Sequence, residues 1–322
     1  MSDVKSDREP GPGELKGASA SPDRGRLVER GSGPLDNRSR RASRLVERGS
    51  GPLDNRSRRA IFLAYHSIAD DGPPILSLTP DLFERQLAAL KRRGFTGGDH
   101  KDLVALATGE RLDGPRAFLT FDDGFRDNFT EAFPLLRSYG FKAIVFVLPP
   151  YLDNGGDFAW PELARQRRDH PTVMRSLTWS MVETMASAGI EFASHTCRHP
   201  HLPELNDEAL AQELSDSRAR LKARLGRCDS IAYPFGDWDR RVEQASAAAG
   251  YSFAFTLPLG SQRGTTPLSI PRIPVDHRDG RVRFAAKLSP VGRRALLGRA
   301  KPVLRALRPR RPERQPPSAV PG

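Results

Sequence analysis

The sequence predicts an α/β fold built on a parallel sheet, and three observations carry that expectation. Apolar runs of four to six residues alternate with longer segments of helical period between residues 61 and 256. Two of those runs end directly in clusters of carboxylates or imidazoles, and in parallel α/β sheets chemistry collects at the carboxyl ends of the strands. The charge is uneven: residues 61–280 carry a net −4 while the whole chain of 322 residues carries +12. A neutral to acidic middle with 38% apolar residues overall is where a core can form.

The elements follow in order. Residues 61–65, IFLAY, read as a strand ending at His66. From Asp81 to Arg93, Leu82, Phe83, Leu87 and Leu90 recur at helical spacing; Thr79 or Asp81 can cap that helix and Gly94 can end it. Further strands are expected at residues 116–121, 143–148, 190–193, 230–233 and 253–256. Helices are expected between them, near 129–138, 179–188, 207–225 and 240–249. Strands alternating with helices imply parallel pairing, in a sheet either closed or open.

The ends differ from this middle. Residues 1–60 hold 14 Lys/Arg against 9 Asp/Glu, and residues 281–322 hold 12 against 1. The basic pI therefore belongs to the ends, which removes the main support for specific nucleic-acid binding by the whole protein. Residues 26–42, RLVERGSGPLDNRSRRA, recur letter for letter as residues 44–60. Each copy offers little beyond Leu and Val to bury, so residues 1–60 are expected to be a disordered leader carrying a duplicated 17-residue segment. Residues 281–322 are expected to be a basic amphipathic or disordered tail, with Phe284, Leu288, Leu296 and Leu304 interleaved with arginines. That pattern suits an anionic membrane surface or an acidic partner. Two cysteines, Cys197 and Cys228, make no disulfide framework, and no apolar stretch reaches the ~20 residues of a membrane span. The expected location is cytoplasmic, with peripheral attachment to the inner face of the membrane through the tail.

Two short segments carry the chemistry. Thr120-Phe121-Asp122-Asp123-Gly124 delivers two carboxylates at the end of a buried run and then turns. Ser194-His195-Thr196-Cys197-Arg198-His199-Pro200 offers two imidazoles four residues apart, a spacing that a helical turn or a tight loop can point at one ion. Together they supply one carboxylate and two nitrogens for a divalent metal, with a carboxylate to spare. His201 reads as solvent-facing, His100 and His170 lie in polar, loop-like settings, and Trp160 and Trp179 read as core residues. The thiol of Cys197 reads as inert.

These segments resemble the TFDDG and H-[ST]-x-x-H-P motifs of the polysaccharide deacetylases, the NodB-homology domain of carbohydrate esterase family four. Ala232-Tyr233-Pro234-Phe235-Gly236 is similar to that family's R-x-P-[FY]-G loop, and Tyr65-His66-Ser67-Ile68 resembles the opening of the branch acting on exported poly-N-acetylglucosamine. The resemblance spans roughly residues 61–276. It implies a distorted (β/α) barrel over residues 61–280 and removal of acetyl from an N-acetylated amino sugar. The sugar could belong to a glycan, a lipid-linked intermediate or a glycosylated metabolite, and a glycosyltransferase is a further candidate partner for the tail. Asp123, His195 and His199 would bind the metal and Asp122 would be the general base. Zinc is favoured by two imidazoles and one carboxylate, while manganese, cobalt and nickel tolerate the same donors.

The resemblance also implies an oxyanion donor in the third motif. Pro234 has no N–H, so the donor there would be the backbone amide of Phe235. Two positions depart from the family. Ala232 stands where many members have Arg, which makes Arg272 the candidate to orient Asp122. The late histidine that protonates the leaving amine has no clean counterpart; His277 is nearest by position and His66 is the alternative. Tyr233, Trp238 and His66 are the candidate substrate contacts, Trp238 as a platform for a sugar ring. Two other functions stay open: hydrolysis of another C–N bond, in an imide or ureide, and a catalytically silent domain that binds a glycan or partner.

Overall fold

The computed structural model describes residues 60–257, 266–289 and 292. Residues 1–59 of the expected leader and the tail from residue 293 lie outside them, while Ala60, the last residue of the second repeat, opens the first strand. The elements run β1 (Ala60–Tyr65), β2 (Ser67–Ile68), β3 (Ser77–Leu78), α1 (Pro80–Arg92), β4 (Thr96–Gly97), α2 (His100–Thr108) and β5 (Arg116–Phe121). A π-helical turn, Asn128–Ala132, leads into α3 (Phe133–Tyr139), followed by β6 (Ala143–Val147), α4 (Pro149–Leu152), α5 (Ala164–Asp169) and α6 (Trp179–Ser187). The rest are β7 (Glu191–Ser194), α7 (Asp207–Leu225), β8 (Ser230–Ala232), α8 (Arg240–Ala248), β9 (Phe253–Thr256), β10 (Ile270–Pro271), β11 (Ile273–Pro274) and α9 (Arg281–Leu288).

All pairings in the main sheet are parallel, in the order β10-β9-β8-β7-β6-β5-β1-β11, with β4 added beside β5. The two ends of that order are successive on the chain. Residues 270–274 form one extended segment whose first half pairs with β9 and whose second half pairs with β1, so this segment closes the sheet into a barrel. The N–H of Arg272 donates to Thr256 on one side and that of Val275 to Ala64 on the other. Sequence IPRIP hid this strand, because proline interrupts a ladder except at edges and strand ends. Here each proline directly precedes a residue whose N–H the ladders use, Pro271 before Arg272 and Pro274 before Val275.

The strands are buried on both faces, which explains their nearly continuous apolar runs. Alternate residues line two separate cores. Phe62, Phe118, Ile144, Phe146, Phe253, Phe255 and Ile270 pack together with the small residues Ala193 and Ala232 inside the barrel. Ile61, Leu63, Tyr65, Leu119, Val145, Ile231 and Tyr233 face the helices. Helix α1 begins at the Thr79 cap and buries Phe83, Leu87 and Leu90, as the spacing implied.

Three segments differ from the sequence reading. Helix α2 was missed, although Asp99 makes a capping box with Asp102; His100 opens that helix, with its Nε2 3.8 Å from Asp229. The connection 149–169 holds the short helices α4 and α5. The segment read as a tail from residue 281 begins with α9, whose Phe284 and Leu288 are buried in the main core. Its Lys287 amine is buried too, donating to the Asp279 carboxylate and, at 2.6 Å, to the carbonyl of Pro274. Those two apolar side chains therefore serve the domain core and not a membrane surface. Among the described residues, no helix is long and apolar enough to cross a membrane.

Candidate active site and metal centre

Every motif lies at the carboxyl end of a barrel strand. Asp122 and Asp123 follow β5, His195 and His199 follow β7, Pro234 to Gly236 follow β8, and His66 follows β1. The pleat decides what each residue faces. Phe118 of β5 lies in the barrel interior, and two and four residues on Thr120 and Asp122 bond to Arg272, which itself lies two residues beyond the interior Ile270. Arg272 is fully buried and forks onto the carboxylate, Nη1 to Oδ1 at 2.6 Å and Nη2 to Oδ2 at 2.8 Å. Its guanidinium also lies 5.3 Å from the Phe146 ring and 5.9 Å from that of Phe255. Burial works to raise the pKa of Asp122, but the Arg272 charge, followed by that of His195, outweighs it and holds the carboxyl well below the usual range.

The backbone turns sharply at the second carboxylate. Among the described residues, four non-glycine residues have positive φ: Asp123, Thr196, His199 and Phe235, all in the three motifs. A left-handed conformation costs a non-glycine residue about 1–3 kcal/mol, and such strain gathers at functional sites. Gly124 extends the turn at φ +71°, where a Cβ would meet Val147 at 2.7 Å. Asp123 is thereby swung between the two imidazoles, its Oδ1 3.4 Å from Nε2 of both His195 and His199. The three donor atoms lie within 4.8 Å of one another. His195 Nδ1 donates to the Ala232 carbonyl at 2.8 Å, and since a carbonyl can only accept, Nε2 keeps its lone pair towards Asp123.

These residues fit a divalent cation. Two donors sharing one tetrahedral ion at ~2.1 Å stand about 3.4 Å apart. Asp123 Oδ1 is buried, 3.4 Å from both imidazole nitrogens, and hydrogen-bonded to nothing, a cost that a cation would remove. His199 is pushed down to about 3 by burial, against the pull of Asp123, and so remains a neutral donor near neutral pH. Burial works against charge on His195, but the Asp123 carboxylate, helped by Asp122, raises it on balance. Burial also raises the Asp123 pKa, and the two histidines more than reverse this. Two imidazoles and one carboxylate leave coordination positions open.

One residue at the site went unread in the sequence, and two others were read without their part in it. Glu213 on α7 is buried, and its Oε2 accepts the N–H groups of Cys197 at 2.8 Å and Arg198 at 3.1 Å, fixing the loop between the histidines. It occupies the apolar stripe Leu210, Leu214, Ser217, Leu221, and an acid on such a stripe is the signal that could have found it. Trp160 is a core residue, as its sequence setting implied, and it also stacks on the His199 ring at 4.4 Å. His201 does not face solvent: it pairs with Asp237 at 2.7 Å and stacks on Phe235 at 3.9 Å, while Phe235 meets His199 edge-on at 4.5 Å.

The remaining candidates are placed as follows. In the turn after β8, the N–H groups of Gly236 and Asp237 donate to Tyr233 and Pro234, and that of Phe235 stands outside this ladder. Tyr233 is buried on the helix side with its hydroxyl on the Leu268 carbonyl, because Ala232 takes the inward phase of the pleat. It is therefore a core residue and not a substrate contact. Trp238 packs partly buried against the same core. His277 turns its Nδ1 to the carbonyl of Pro74 at 2.5 Å and lies exposed, without a contact to either aspartate or either motif histidine. His66 is partly exposed, with Nε2 3.9 Å from Asp122 Oδ2.

Comparison with known proteins agrees with this geometry. The family model for polysaccharide deacetylase matches residues 109–254. YxkH of Bacillus subtilis strain 168, named after the same family, is 26% identical over 201 residues, which are 62% of this chain and 64% of that protein. A poly-β-1,6-N-acetyl-D-glucosamine N-deacetylase of Escherichia coli K12 is 21% identical over 71% of this chain, and the match spans 38% of its own length. Among solved structures, the Streptococcus pyogenes deacetylase PplD, in complex with acetate, superposes with a TM-score of 0.55 at 26% identity, covering 67% of this chain and 92% of its own. The Bacillus cereus polysaccharide deacetylase BC0361 gives 0.57 at 26% identity, covering 71% and 69%. The barrel, the three motifs at its carboxyl end and these relatives agree with the family match, and over residues 109–254 the chain is similar to the polysaccharide deacetylase domain of NodB-homology type.

Proposed function

We propose that this domain hydrolyses the amide of an N-acetylated amino sugar in a glycan, releasing acetate and a free amine. The observation that carries the reading is the Asp123, His195, His199 cluster with the Arg272-bound Asp122 beside it. The Escherichia coli relative, named for an N-acetylglucosamine polymer, supports this substrate class.

Asp123, His195 and His199 would hold a divalent cation, zinc being our first choice. When bound, such an ion supplies Lewis-acid polarisation of a carbonyl and makes water more acidic. Asp122 accepts the proton of the attacking water. Arg272 keeps that carboxylate ionised and fixes its direction, while the same pairing makes it a weak base. As oxygen adds to the acetyl carbon, charge develops on the former carbonyl oxygen, and the Phe235 N–H donates to it. The C–N bond then breaks, and His66 gives a proton to the departing nitrogen. The position of His66 beside Asp122 favours it over His277 for that step.

Acetate release from N-acetylglucosamine oligomers, with divalent metal present, tests the proposal. Wild type should turn over, Asp122→Asn should lose about 10²-fold or more, and His277→Ala should retain wild-type turnover. Equal turnover by wild type and Asp122→Asn would refute it.

A further inference from the structure

The loop carrying His66 is fastened by two side chains from another strand's connection. Asp127 is buried, and its Oδ2 accepts from the Ser67 hydroxyl at 2.7 Å while Oδ1 accepts from the Ile68 N–H at 2.8 Å. Asn128, also buried, donates from Nδ2 to the His66 carbonyl at 2.8 Å and to Asp127 at 3.1 Å. Three consecutive residues, 66, 67 and 68, are thus each tied to the same pair. A second hydroxyl, Ser77 Oγ, closes on Ser67 Oγ at 3.1 Å, and the Ser67 N–H donates to the Leu76 carbonyl.

We infer that Asp127 and Asn128 are positioning residues that set the direction of the His66 imidazole towards the departing amine. The inference rests on the proposed role of His66 as proton donor. Its physical basis is that β1 ends at Tyr65, so the main sheet no longer directs the backbone at His66. What fixes the imidazole there is a rigid loop, and the latch supplies bonds at each of its three residues. Asp127 and Asn128 also lie only four and five residues beyond Asp123, on one short connection after β5. That connection therefore carries a metal ligand and the base, and holds the acid from the side. Burying a carboxylate this way is costly unless its oxygens are satisfied, and burial does raise the Asp127 pKa, to about 6. A surface turn would have no need of that arrangement.

A leaving-group comparison tests the inference, because only an amide nitrogen needs a proton to depart. Hydrolysis of 4-nitrophenyl acetate breaks a C–O bond and releases a phenolate that leaves unprotonated. In metal-loaded full-length protein, Asp127→Ala should lower kcat on an N-acetylglucosamine oligomer by about 10²-fold with little change in KM, while ester turnover stays within about threefold of wild type. Asp127→Asn keeps one carbonyl acceptor for the Ile68 N–H and should recover most of the amide activity. Amide hydrogen exchange at Ile68 should accelerate in Asp127→Ala and not in Asp127→Asn. Equal loss on amide and ester would overturn the inference, as would unchanged amide turnover in Asp127→Ala. His66→Ala separates the two levels. Full amide turnover in that variant refutes the role of His66 and the latch with it, whereas an amide-selective loss in His66→Ala without one in Asp127→Ala refutes the latch alone.

Discussion

Arg272 and Asp122 stand 150 positions apart and meet through two hydrogen bonds of 2.6 and 2.8 Å, with Arg272 wholly buried. The barrel makes that meeting possible, because the segment bearing Arg272 is the one that closes it. Ala193 on β7 and Ala232 on β8 are the small side chains of the barrel interior, where the guanidinium lies near Phe146 and Phe255. An arginine at position 232 would compete for that space, which gives a physical reason for the departure from the family motif.

Arg272→Ala should be costly in two ways. Removing one partner of a buried ion pair destabilises a fold by about 3–5 kcal/mol, and Asp122 would lose its orientation. Urea unfolding should show the loss. Arg272→Lys should recover part of the stability but little turnover, since an ammonium cannot fork onto both oxygens.

Glu213 should matter for metal affinity more than for folding. Both loop N–H groups use its Oε2, so Glu213→Gln, which retains a carbonyl oxygen, should bind metal nearly as wild type does. Glu213→Ala should weaken binding about 10–100-fold, the usual cost of losing support behind a ligand, as read by competition with a chromogenic chelator.

Asp127 gives a pH signature. Its pKa is raised to about 6 by burial, partly opposed by bonds from Ile68, Ser67 and Asn128, from an ordinary value of 3.8. The folded state therefore holds its proton more tightly than the unfolded chain. That contribution is complete below pH 3.8 and is lost as pH rises through about 6. The stability of wild type relative to Asp127→Asn should fall across this window by about 3 kcal/mol, in urea titrations at stepped pH.

Both cysteines should resist alkylation. Burial, helped by Glu213 at Cys197, pushes each thiol up to about 12, so little thiolate exists at pH 8. Iodoacetamide should label neither in the native protein and both in urea, by mass spectrometry.

The sequence made contiguous features legible and long-range ones less so. Asp122, Asp123, His195 and His199 lie in two short segments, where spacing pairs the residues within each and the family resemblance joins the two. The strands of β1, β5, β6 and β9 were equally plain as apolar runs. The closing strand was not, because its prolines mimic a break and only the barrel shows which N–H groups the ladder spares. Tyr233 was misread because a run of buried residues does not disclose the phase of its pleat, and one step along β8 separates the barrel interior from the helix side. Glu213, Asp127 and His201 act through partners 15, 59 and 36 positions away, which no local pattern encodes.

In the proposed mechanism, Asp123, His195 and His199 hold one catalytic cation between them. Chelated protein titrated with zinc while acetate release is followed tests it most directly. Activity should rise linearly and break at one ion per chain, with His199→Ala showing neither the break nor turnover. Full activity in the chelated protein, or an unchanged titration in His199→Ala, would contradict it.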